Sequence, residues 1–264
     1  MIYEICAETD AGRQRTNNED SVAFDASTGL CVLADGMGGY NAGEVASSLA
    51  TAFIQAELGG WLAGPGKSST TRSIRDAMEL CVHNANHSIF RAALADPLYS
   101  GMGTTVVVAV FREDKLVLGH IGDSRCYRLR GNRLVQLTRD HSLVQEELDA
   151  GLITPQQALL SPHRGFVTRA LGVSLHAHLE VEEHRVEPGD MYLLCSDGLT
   201  DMLDDQSIAR MLADSRSLGS AAAELVAAAN WRGGRDNISV VLVRNEQLLP
   251  KPRLLARFLG QPTK

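Results

Sequence analysis

The sequence predicts an α+β fold in which mostly antiparallel sheets pack against helices. Short runs rich in Val, Ile and Leu follow one another through tight turns such as residues 119–124 and 130–132, which is typical of antiparallel strands. Helical segments come as a pair between strands, so the order does not alternate as it does in βαβ units. At 264 residues with 44% hydrophobic content, the chain can bury the core of one large domain.

Each predicted element rests on a local pattern. Apolar and β-branched runs bounded by turn-forming residues predict strands at residues 2–7, 22–24, 30–34, 104–111, 115–120, 126–130, 178–186, 191–195 and 238–244. Apolar residues that recur every three or four positions predict helices at residues 42–58, 69–95, 143–150, 205–212 and 220–229. The two longest helices therefore fall between the third and fourth strands.

Two segments do not fit the regular pattern. Residues 142–165 mix helix-like pieces with Pro and His between two groups of strands, and we interpret them as an insertion or flap on one face of a domain spanning residues 1–248. Residues 249–264 contain two early prolines, four basic residues and no acid. This composition predicts a basic C-terminal tail outside the core.

Composition and charge exclude several classes of protein. The 32 acidic residues outnumber the 25 basic ones, and a formal net charge of −7 disfavours a nucleic-acid partner. No apolar stretch approaches the roughly 20 residues needed to cross a bilayer, and the N-terminus lacks the pattern of a signal peptide. We therefore expect a cytoplasmic protein without stable membrane insertion, and a monomer. The five scattered cysteines predict buried free thiols.

Acidic residues stand at the ends of several predicted strands, beside Gly, Asn or another acid. They are Glu19, Asp20, Asp35, Asp123, Asp197 and Asp236. Each one alone is more often part of a turn, but together they suggest a single site. Carboxylates that converge repel one another unless a cation offsets their charge, and an all-oxygen ligand set suits Mg²⁺ or Mn²⁺ rather than Zn²⁺. Gly36 would let the backbone, including its own carbonyl, approach such an ion.

Other sites fit the sequence less well. The turn at "GMGGYNAG" resembles a dinucleotide-binding fingerprint, but Asn41 replaces its third glycine and Asp35 would repel a pyrophosphate. Ser124 in "GDS" suggests an esterase, yet no histidine of the chain follows an aspartate at the spacing D-x-x-H. His83 and His87 lie four residues apart on a predicted helix and could face one metal, but a solvated helix face is the simpler interpretation.

Eight motifs, in order, resemble those of the metal-dependent protein phosphatases of the PP2C class in their compact bacterial form. They are "RTNNEDS", "ADGMGG", "GMGTT", "GHIGDSRCYRL", "RDHS", "TRALG", "LLCSDGLTD" and "GGRDNISVVLV", and they span about residues 9–243. The resemblance implies a four-layer α-β-β-α sandwich with two central antiparallel sheets, which agrees with the α+β prediction. It also implies a serine/threonine phosphatase that works in bacterial signal transduction, with the phosphorylated substrates of a serine/threonine kinase as its partners.

The resemblance also implies a role for each acidic residue. Asp35 would bridge two metal ions, with Glu19 and the Gly36 carbonyl on one of them. Asp197 and Asp236 would hold the other, and Asp123 with Asp197 would hold a third, weaker ion. Asp20 would orient metal-bound water from outside the ligand set. The resemblance further implies that Arg15 grips the substrate phosphate, which suits a guanidinium fork.

The implied mechanism is direct hydrolysis without a covalent enzyme intermediate. Two cations about 3.5 to 4 Å apart can share a water, lower its pKa and direct the bridging hydroxide at phosphorus. The leaving alkoxide needs a proton, and many eukaryotic members carry histidine where this chain has Met37. Methionine cannot donate a proton, so His141 in "RDHS" is a candidate acid, with a loop histidine bonded to backbone as the alternative.

Two further functions remain open from the sequence. One is a non-catalytic relative that keeps the fold as a binding module, although such a protein would be expected to lose metal carboxylates. The other is a phosphatase of anti-sigma-type phosphoserine regulators instead of the substrates of a serine/threonine kinase. The sequence offers no direct test between these substrate classes.

Overall fold

The strands of the protein form two antiparallel sheets, seen in a computed structural model that describes residues 2–39 and 42–246. The first sheet contains β1 (Ile2–Asp10), β7 (Arg125–Arg130), β8 (Arg133–Gln136), β10 (Met191–Cys195) and β11 (Ile238–Glu246), in the order β1-β11-β10-β7-β8. The second contains β2 (Asp20–Asp25), β3 (Leu30–Met37), β5 (Val106–Arg112), β6 (Lys115–Ile121) and β9 (Glu180–Arg185), in the order β2-β3-β5-β6-β9. The short β4 (Gly103–Thr104) pairs with β3.

Helices cover the outer faces of both sheets. The helices are α1 (Ala42–Ile54), α2 (Gly60–Ala63), α3 (Thr71–Ala95), α4 (Leu143–Asp149), α5 (Pro155–Ala158), α6 (Asp197–Thr200), α7 (Asp205–Asp214) and α8 (Leu218–Trp231). Apolar side chains of α1 and α3 pack with the second sheet, and those of α7 and α8 pack with the first. None of the described helices is long and apolar enough to span a membrane.

The alternation of side chains along the central strands creates the four layers. On β3, Leu30 and Val32 pack beneath the helices while Cys31 and Leu33 face the other sheet. The other central strands alternate in the same way, so a third apolar cluster fills the space between the sheets. The predicted α+β sandwich is confirmed. All five cysteines are free, and all except Cys6 are buried.

The same alternation aims polar residues at one end of the space between the sheets. Asp35 shares the inward-facing parity of Cys31 and Leu33 on β3, and Asp20 stands opposite it in the register of β2 and β3. Val22, two residues after Asp20, packs against the same inter-sheet cluster. The site therefore forms where the apolar layer between the sheets ends.

Several predicted boundaries differ from the structure. The predicted helix 42–58 ends as an α-helix at Ile54 and continues through a π-helical turn, Gln55–Gly59, into α2. The predicted strand 104–111 is interrupted at Thr105, whose backbone amide bonds to Asp35 at the site. Strand β8 was missed because it is only four residues long and lies at a sheet edge, where no apolar run is required.

The segment proposed as a flap leaves the core and returns to nearly the same point. Its first residues pair with those that follow it, through the bridge between Ser142 and Val167 and the bond from the Leu143 amide to the Phe166 carbonyl. Helices α4 and α5 lie within this excursion. The predicted basic tail, residues 249–264, lies outside the described residues.

Candidate metal centre and active site

A cavity of about 290 Å³ collects the predicted site residues at the open end of the sandwich. Seven of the eight line it: Arg15, Glu19, Asp35, Gly36, Asp123, Asp197 and Asp236. Asp20, the eighth, stands opposite Asp35 in the β2–β3 register. The sequence therefore brings acids from five separate parts of the chain to one place, while their individual roles as ligands stay predictions.

The end of β3 is fixed by hydrogen bonds from the two threonines of "GMGTT". The carbonyl of Asp35 accepts from the Thr104 hydroxyl at 2.9 Å and from the Thr105 amide at 2.9 Å. The Asp35 amide in turn donates to the Thr105 hydroxyl at 3.1 Å. The Asp35 backbone has few alternative positions as a result, and its carboxylate is held at the mouth of the inter-sheet layer.

Two glycines make room for Glu19 beside β3 and the start of α1. A Cβ on Gly36 would come within 2.1 Å of the Gly43 carbonyl oxygen, and one on Gly43 within 2.6 Å of Glu19 Oε2. The Gly36 amide donates to the Glu19 carbonyl at 3.1 Å. These contacts explain why glycine follows Asp35, since any side chain there would push the Glu19 segment and the helix apart.

The end of β10 uses glycine for the same reason. Asp197 is the first residue of α6 and is separated from β10 by Ser196 alone; a Cβ on Gly198 would come within 2.0 Å of the Asn237 carbonyl oxygen. Ser196, just before Asp197, donates its hydroxyl to Asp20 Oδ2 at 2.8 Å. The two Asp-Gly strand ends are therefore joined through Ser196 and Asp20 rather than being independent turns.

Asp123 sits in a tight turn that His141 holds in place. Gly122, immediately before it, has a φ of +105°, which favours glycine. Gly122 is bonded to His141 twice, since its amide donates to His141 Nδ1 at 3.1 Å and its carbonyl accepts from the His141 amide at 2.9 Å. His141 Nε2 lies 3.0 Å from Glu180. His141 is thus a loop histidine bonded to backbone, and it does not line the cavity.

Asp236 and Arg15 contact each other in the lining of the cavity. Arg15 Nη2 donates to Asp236 Oδ2 at 2.6 Å, and both side chains remain partly exposed, by 52% for Arg15 and 37% for Asp236. Asp236 Oδ1 accepts from the amide of Asn237 at 2.9 Å. This geometry leaves Nε and Nη1 of Arg15 available to another anion.

The electrostatics of the cluster reflect crowding of like charges. Burial, followed by repulsion from neighbouring carboxylates, raises the pKa of Asp35 and of Asp197 well above the ordinary range. Burial also raises the pKa of Asp20 and that of Asp123 to about 6. Asp20 Oδ1 is buried and finds no hydrogen-bond partner among the described residues. Among the causes that act on Asp35 and Asp197, burial and neighbouring acids raise the pKa and no basic residue offsets them.

The donor set fits hard divalent cations. Five carboxylates line the cavity, and among its described lining residues Arg15 is the one basic side chain. Carboxylate and carbonyl oxygens without Cys or His suit Mg²⁺ or Mn²⁺. The carboxylates are spread around the cavity, since in the described chain three ligand atoms lie within 4.8 Å of one another only at His120, His141 and Glu180.

Sequence reasoning missed the polar residues that support the acids. Asn237 Oδ1 accepts a hydrogen bond from the Glu19 backbone amide at 2.7 Å, and Asn237 Nδ2 donates to the carbonyls of Ala11 and Asn17. These bonds connect the loop before β2 to the start of β11. Ser47 of α1 donates to the Glu19 carbonyl at 2.5 Å. Asn237 stands beside Asp236 in "RDNIS", but nothing local distinguishes a supporting asparagine from one in an ordinary turn.

Comparison with known proteins gives consistent sequence matches. The profile of the family described as Protein phosphatase 2C matches residues 9–230. Protein phosphatase PhpP of Streptococcus pneumoniae is 37% identical over 91% of this chain and 96% of its own length. Serine/threonine protein phosphatase PstP of Mycobacterium tuberculosis is 39% identical over 92% of this chain, which spans only 45% of PstP.

Solved structures match the fold as well as the sequence. The crystal structure of the catalytic domain of PstP, in complex with two manganese ions, has a TM-score of 0.80 and 36% sequence identity to this chain. The match covers 92% of this chain and 97% of the PstP domain. The similarity therefore extends over nearly all the residues that build the sandwich and its acidic cavity.

Proposed function

The chain belongs to the protein phosphatase 2C family, and we propose that it hydrolyses phosphoserine and phosphothreonine in proteins with the help of divalent metal ions. The observation that carries this proposal is the meeting of five carboxylates and one arginine in a single cavity. The names of PhpP and PstP as protein phosphatases support the same activity. The presence of all these carboxylates argues against a non-catalytic binding module.

The acidic residues would hold two core ions. Asp35 would contact both, Glu19 and the Gly36 carbonyl would complete the protein ligands of one, and Asp197 with Asp236 would hold the other. Asp123 with Asp197 would hold a third. When bound, such ions neutralise the carboxylates, acidify water and withdraw charge from the phosphoryl group. Mn²⁺ or Mg²⁺ suits the oxygen ligands, and the two manganese ions of the PstP complex support Mn²⁺.

Arg15 would bind the substrate phosphate. Its Nη2 is bonded to Asp236, so the guanidinium already lies at the rim of the cavity with its remaining N–H groups half-exposed. Two N–H groups of one guanidinium match two oxygens of a phosphate, which fixes the orientation of the phosphoryl group as well as its position.

Asp20 would orient the attacking water. Its Oδ2 is engaged by the hydroxyl of Ser196, which leaves Oδ1 as an acceptor without a partner among the described residues. An unpaired carboxylate oxygen can accept a proton from a nearby water and set the direction of its lone pairs. Ser196 contributes by keeping the carboxylate in one rotamer.

Two residues near the site are unsuited to protonate the leaving oxygen. Met37 lines the cavity, but its thioether has no proton to give. His141 has Nδ1 bonded to Gly122 and Nε2 beside Glu180, and it is turned away from the cavity lining. The acid for the leaving group is therefore neither of these two side chains.

Residues 142–165 would act as a flap beside the substrate within a phosphatase domain of residues 1–248. Support comes from a second cavity, of about 290 Å³, between this segment and the core. Val144, Leu148 and Leu159 of the segment line it, and it shares Asp123 and Asp197 with the acidic cavity. A substrate chain leaving the acidic cavity on that side would contact the segment.

The expected substrates are proteins phosphorylated by a bacterial serine/threonine kinase, with the enzyme acting in the cytoplasm as a monomer. Support comes from the family and from the named activity of PstP and PhpP. A phosphoserine regulator of the anti-sigma type is the alternative substrate, since the same cavity would accept it. Comparing turnover of such a regulator with that of phosphothreonine peptides separates the two.

The test of the proposal is hydrolysis of phosphothreonine peptides by the full chain with Mn²⁺, with Mg²⁺ and with a chelator. We expect activity only with a divalent ion, and its loss in Asp236→Ala, because that carboxylate lines the cavity and would hold one core ion. Glu183→Gln is the control, since Glu183 on β9 pairs with Lys115 of β6 and does not line the cavity. Full activity under chelation, or in Asp236→Ala, would contradict the proposal.

A further inference from the structure

The turn that carries Asp123 is held from two sides. On one side, the hydroxyls of Ser124 and Thr105 lie 2.8 Å apart, and a Cβ on Gly122 would come within 2.6 Å of the Thr105 Cβ. Thr105 is the residue that also fixes the end of β3. On the other side, both the amide and the carbonyl of Gly122 are bonded to His141. The position of the turn therefore depends on a residue outside the cavity lining.

The bonds of His141 determine which ring nitrogen carries a proton. Nδ1 accepts from the Gly122 amide at 3.1 Å, so this nitrogen holds no proton. The neutral ring then carries its proton on Nε2, which lies 3.0 Å from Glu180 Oε2 and donates to it. Arg169 Nη1 lies 3.5 Å from the same nitrogen, longer than an ordinary hydrogen bond. Burial, the largest influence, lowers the pKa of His141 and favours the neutral ring.

The same arrangement argues against a metal ion at His141. Ligand atoms of His120, His141 and Glu180 lie within 4.8 Å of one another. However, one nitrogen of His141 accepts from Gly122 and the other carries the proton, so its ring offers no lone pair to an ion. His120 stacks on this ring, with planes inclined by 8°, and its Nε2 lies 2.8 Å from the Arg139 carbonyl. The cluster therefore acts as a support for the segment that leads into the flap.

The backbone of His141 joins the same turn to the two stems of the flap, the stretches by which the chain enters and leaves it. The His141 carbonyl accepts from the Thr168 amide at 2.9 Å. The next residue, Ser142, forms a β-bridge with Val167. One residue thus contacts the turn through its ring and its amide, and the flap stems through its carbonyl and its neighbour.

We propose that His141 is a positioning residue for the third metal ion, which it serves by holding the Asp123 turn in a fixed position relative to the flap stems. The inference rests on the proposed function, in which Asp123 and Asp197 hold that ion. Without the acceptor at Nδ1, the buried Gly122 amide would lose its partner, and the turn would have to rotate to find another. Such a rotation would move the Asp123 carboxylate relative to Asp197.

Two amide substitutions separate the roles of the two ring nitrogens. His141→Asn places an amide oxygen where Nδ1 lies, so the bond from Gly122 can be kept. His141→Gln places its amide nearer the position of Nε2, so the contact with Glu180 can be kept while Gly122 loses its acceptor. Both variants lose the stacking on His120. A role in stability alone would therefore affect both variants alike.

The test is a calorimetric titration of Mn²⁺ into the metal-free full chain. We expect two tightly bound ions and a weaker third in the wild type and in His141→Asn. His141→Gln should keep the two tight ions and bind the third more than about tenfold more weakly, since loss of a residue that only orients a ligand costs about 10- to 100-fold. The Mn²⁺ concentration for half-maximal turnover should rise by the same factor. His178→Gln, which replaces an exposed histidine, is the control and should match the wild type.

A nitrogen NMR spectrum of the wild type, labelled at histidine, tests the same inference without a substitution. We expect His141 to carry its proton on Nε2 and none on Nδ1. A proton on Nδ1 would overturn the proposal, because Gly122 would then have no acceptor. This spectrum decides the matter if His141→Gln does not fold.

Three results of the titration would also overturn the proposal. One is a third ion bound by His141→Gln as tightly as by the wild type, and another is an equal loss of that ion in His141→Asn. The remaining one is a wild type that binds two ions without a third, which would leave the proposed function standing. A wild type that binds no Mn²⁺ at all would contradict the proposed function and this inference together.

Discussion

Two groups of buried acids in this protein differ in whether the chain supplies their counter-charge. Asp190, before β10, is buried and receives two hydrogen bonds from one guanidinium, from Arg130 Nε at 2.8 Å and from Nη2 at 2.7 Å. The Glu187 amide and the Tyr192 hydroxyl donate to the same carboxylate. Asp35 and Asp197 sit among other acids, with Arg15 the one basic residue in the described cavity lining.

The two groups of acids also differ in the direction in which their pKa values are shifted. Burial is the largest single effect and raises the pKa of Asp190, but the bonds and charge of Arg130, with the bonds from the Glu187 amide and the Tyr192 hydroxyl, together outweigh it, and the pKa lies below its ordinary value of 3.8. Burial and mutual repulsion raise the pKa of Asp35 and of Asp197 well above that value. A buried acid is therefore not by itself a sign of a functional site. A buried acid that lacks a counter-charge is such a sign.

The largest expected effect comes from removing a central carboxylate. Asp35→Asn keeps the shape of the side chain but removes a proposed ligand of both core ions, so activity on phosphopeptides should fall by more than about 100-fold, beyond the usual cost of losing an outer partner of a metal site. Without metal at pH 7, the variant should be more stable than the wild type, because one repelling charge is gone. Activity assays and chemical denaturation in chelator measure both effects.

Asp190→Asn is the comparison for that stability measurement, since removing a paired charge should destabilise the protein. If metal-free Asp35→Asn lost as much stability as Asp190→Asn, the two groups of acids would not differ in whether the chain supplies their counter-charge.

Breaking the ion pair between Arg130 and Asp190 is expected to lower the stability of the protein and not its activity. Arg130→Met leaves Asp190 buried and without its cation, and the free energy of unfolding at pH 7 should fall by about 2–3 kcal/mol, at or below the range for buried pairs because Arg130 is partly exposed. Lys115→Met, which breaks the exposed pair with Glu183, should cost at most about 1 kcal/mol. Urea denaturation of both variants measures the difference.

The pH dependence of the Arg130→Met effect has a definite sign. The pKa of Asp190 is lowered in the folded protein, so the stability that the pair contributes is present above its ordinary value of 3.8 and is lost as the pH falls through the folded value. The gap between the wild type and Arg130→Met should therefore be widest near pH 7 and should shrink as the pH falls toward the lowered pKa of Asp190 in the wild type. A gap that widens in acid would mean that Arg130 acts through packing alone.

A smaller loss of activity is expected at Asp20, which supports the site without lining the cavity. Asp20→Asn removes the free acceptor at Oδ1 while keeping a group that can bond to Ser196. Turnover should fall about 10- to 100-fold, with the affinity for Mn²⁺ little changed. Ser196→Ala is the companion variant and should lose less. Loss of Mn²⁺ binding in Asp20→Asn would make Asp20 a ligand rather than an orienting residue.

The smallest expected effect on activity comes from replacing Arg15 at the rim of the acidic cavity. Arg15→Ala should raise KM for a phosphopeptide about tenfold, because a charge-assisted bond to an exposed phosphate contributes about 1.5 kcal/mol, while kcat changes less. Arg13→Ala, in the same loop and exposed, is the matched control. Steady-state kinetics over a range of peptide concentrations separates the two constants. An unchanged KM would show that Arg15 does not bind the phosphate.

The sequence predicted those features of the structure that depend on a local pattern of residues. Asp35 and Asp197 follow apolar strands and precede glycines, so their positions could be predicted from alternation and turn chemistry alone. The α+β class followed from the order of the predicted elements, whereas the four layers of the sandwich came from the resemblance to a known family. The roles of the individual acids came from the resemblance to a known family, because no spacing rule says which carboxylates share an ion.

The residues that sequence reasoning could not find act through contacts between distant segments. Asn237 holds Glu19 across a separation of 218 residues, and Asn86 fastens the loop at Ser174 across 88. His83 and His87 were interpreted as a solvated helix face because no third ligand lies near them in sequence.

The most direct test of the central claim is calorimetric titration of Mn²⁺ into the metal-free full chain at pH 7, with the melting temperature measured before and after. The acidic cavity should take up at least two ions, and the melting temperature should rise because the ions bind only the folded protein. Both effects should be lost or strongly reduced in Asp35→Asn. Absence of binding heat, with an unchanged melting temperature in the wild type, would contradict the conclusion that divalent cations supply the missing counter-charge.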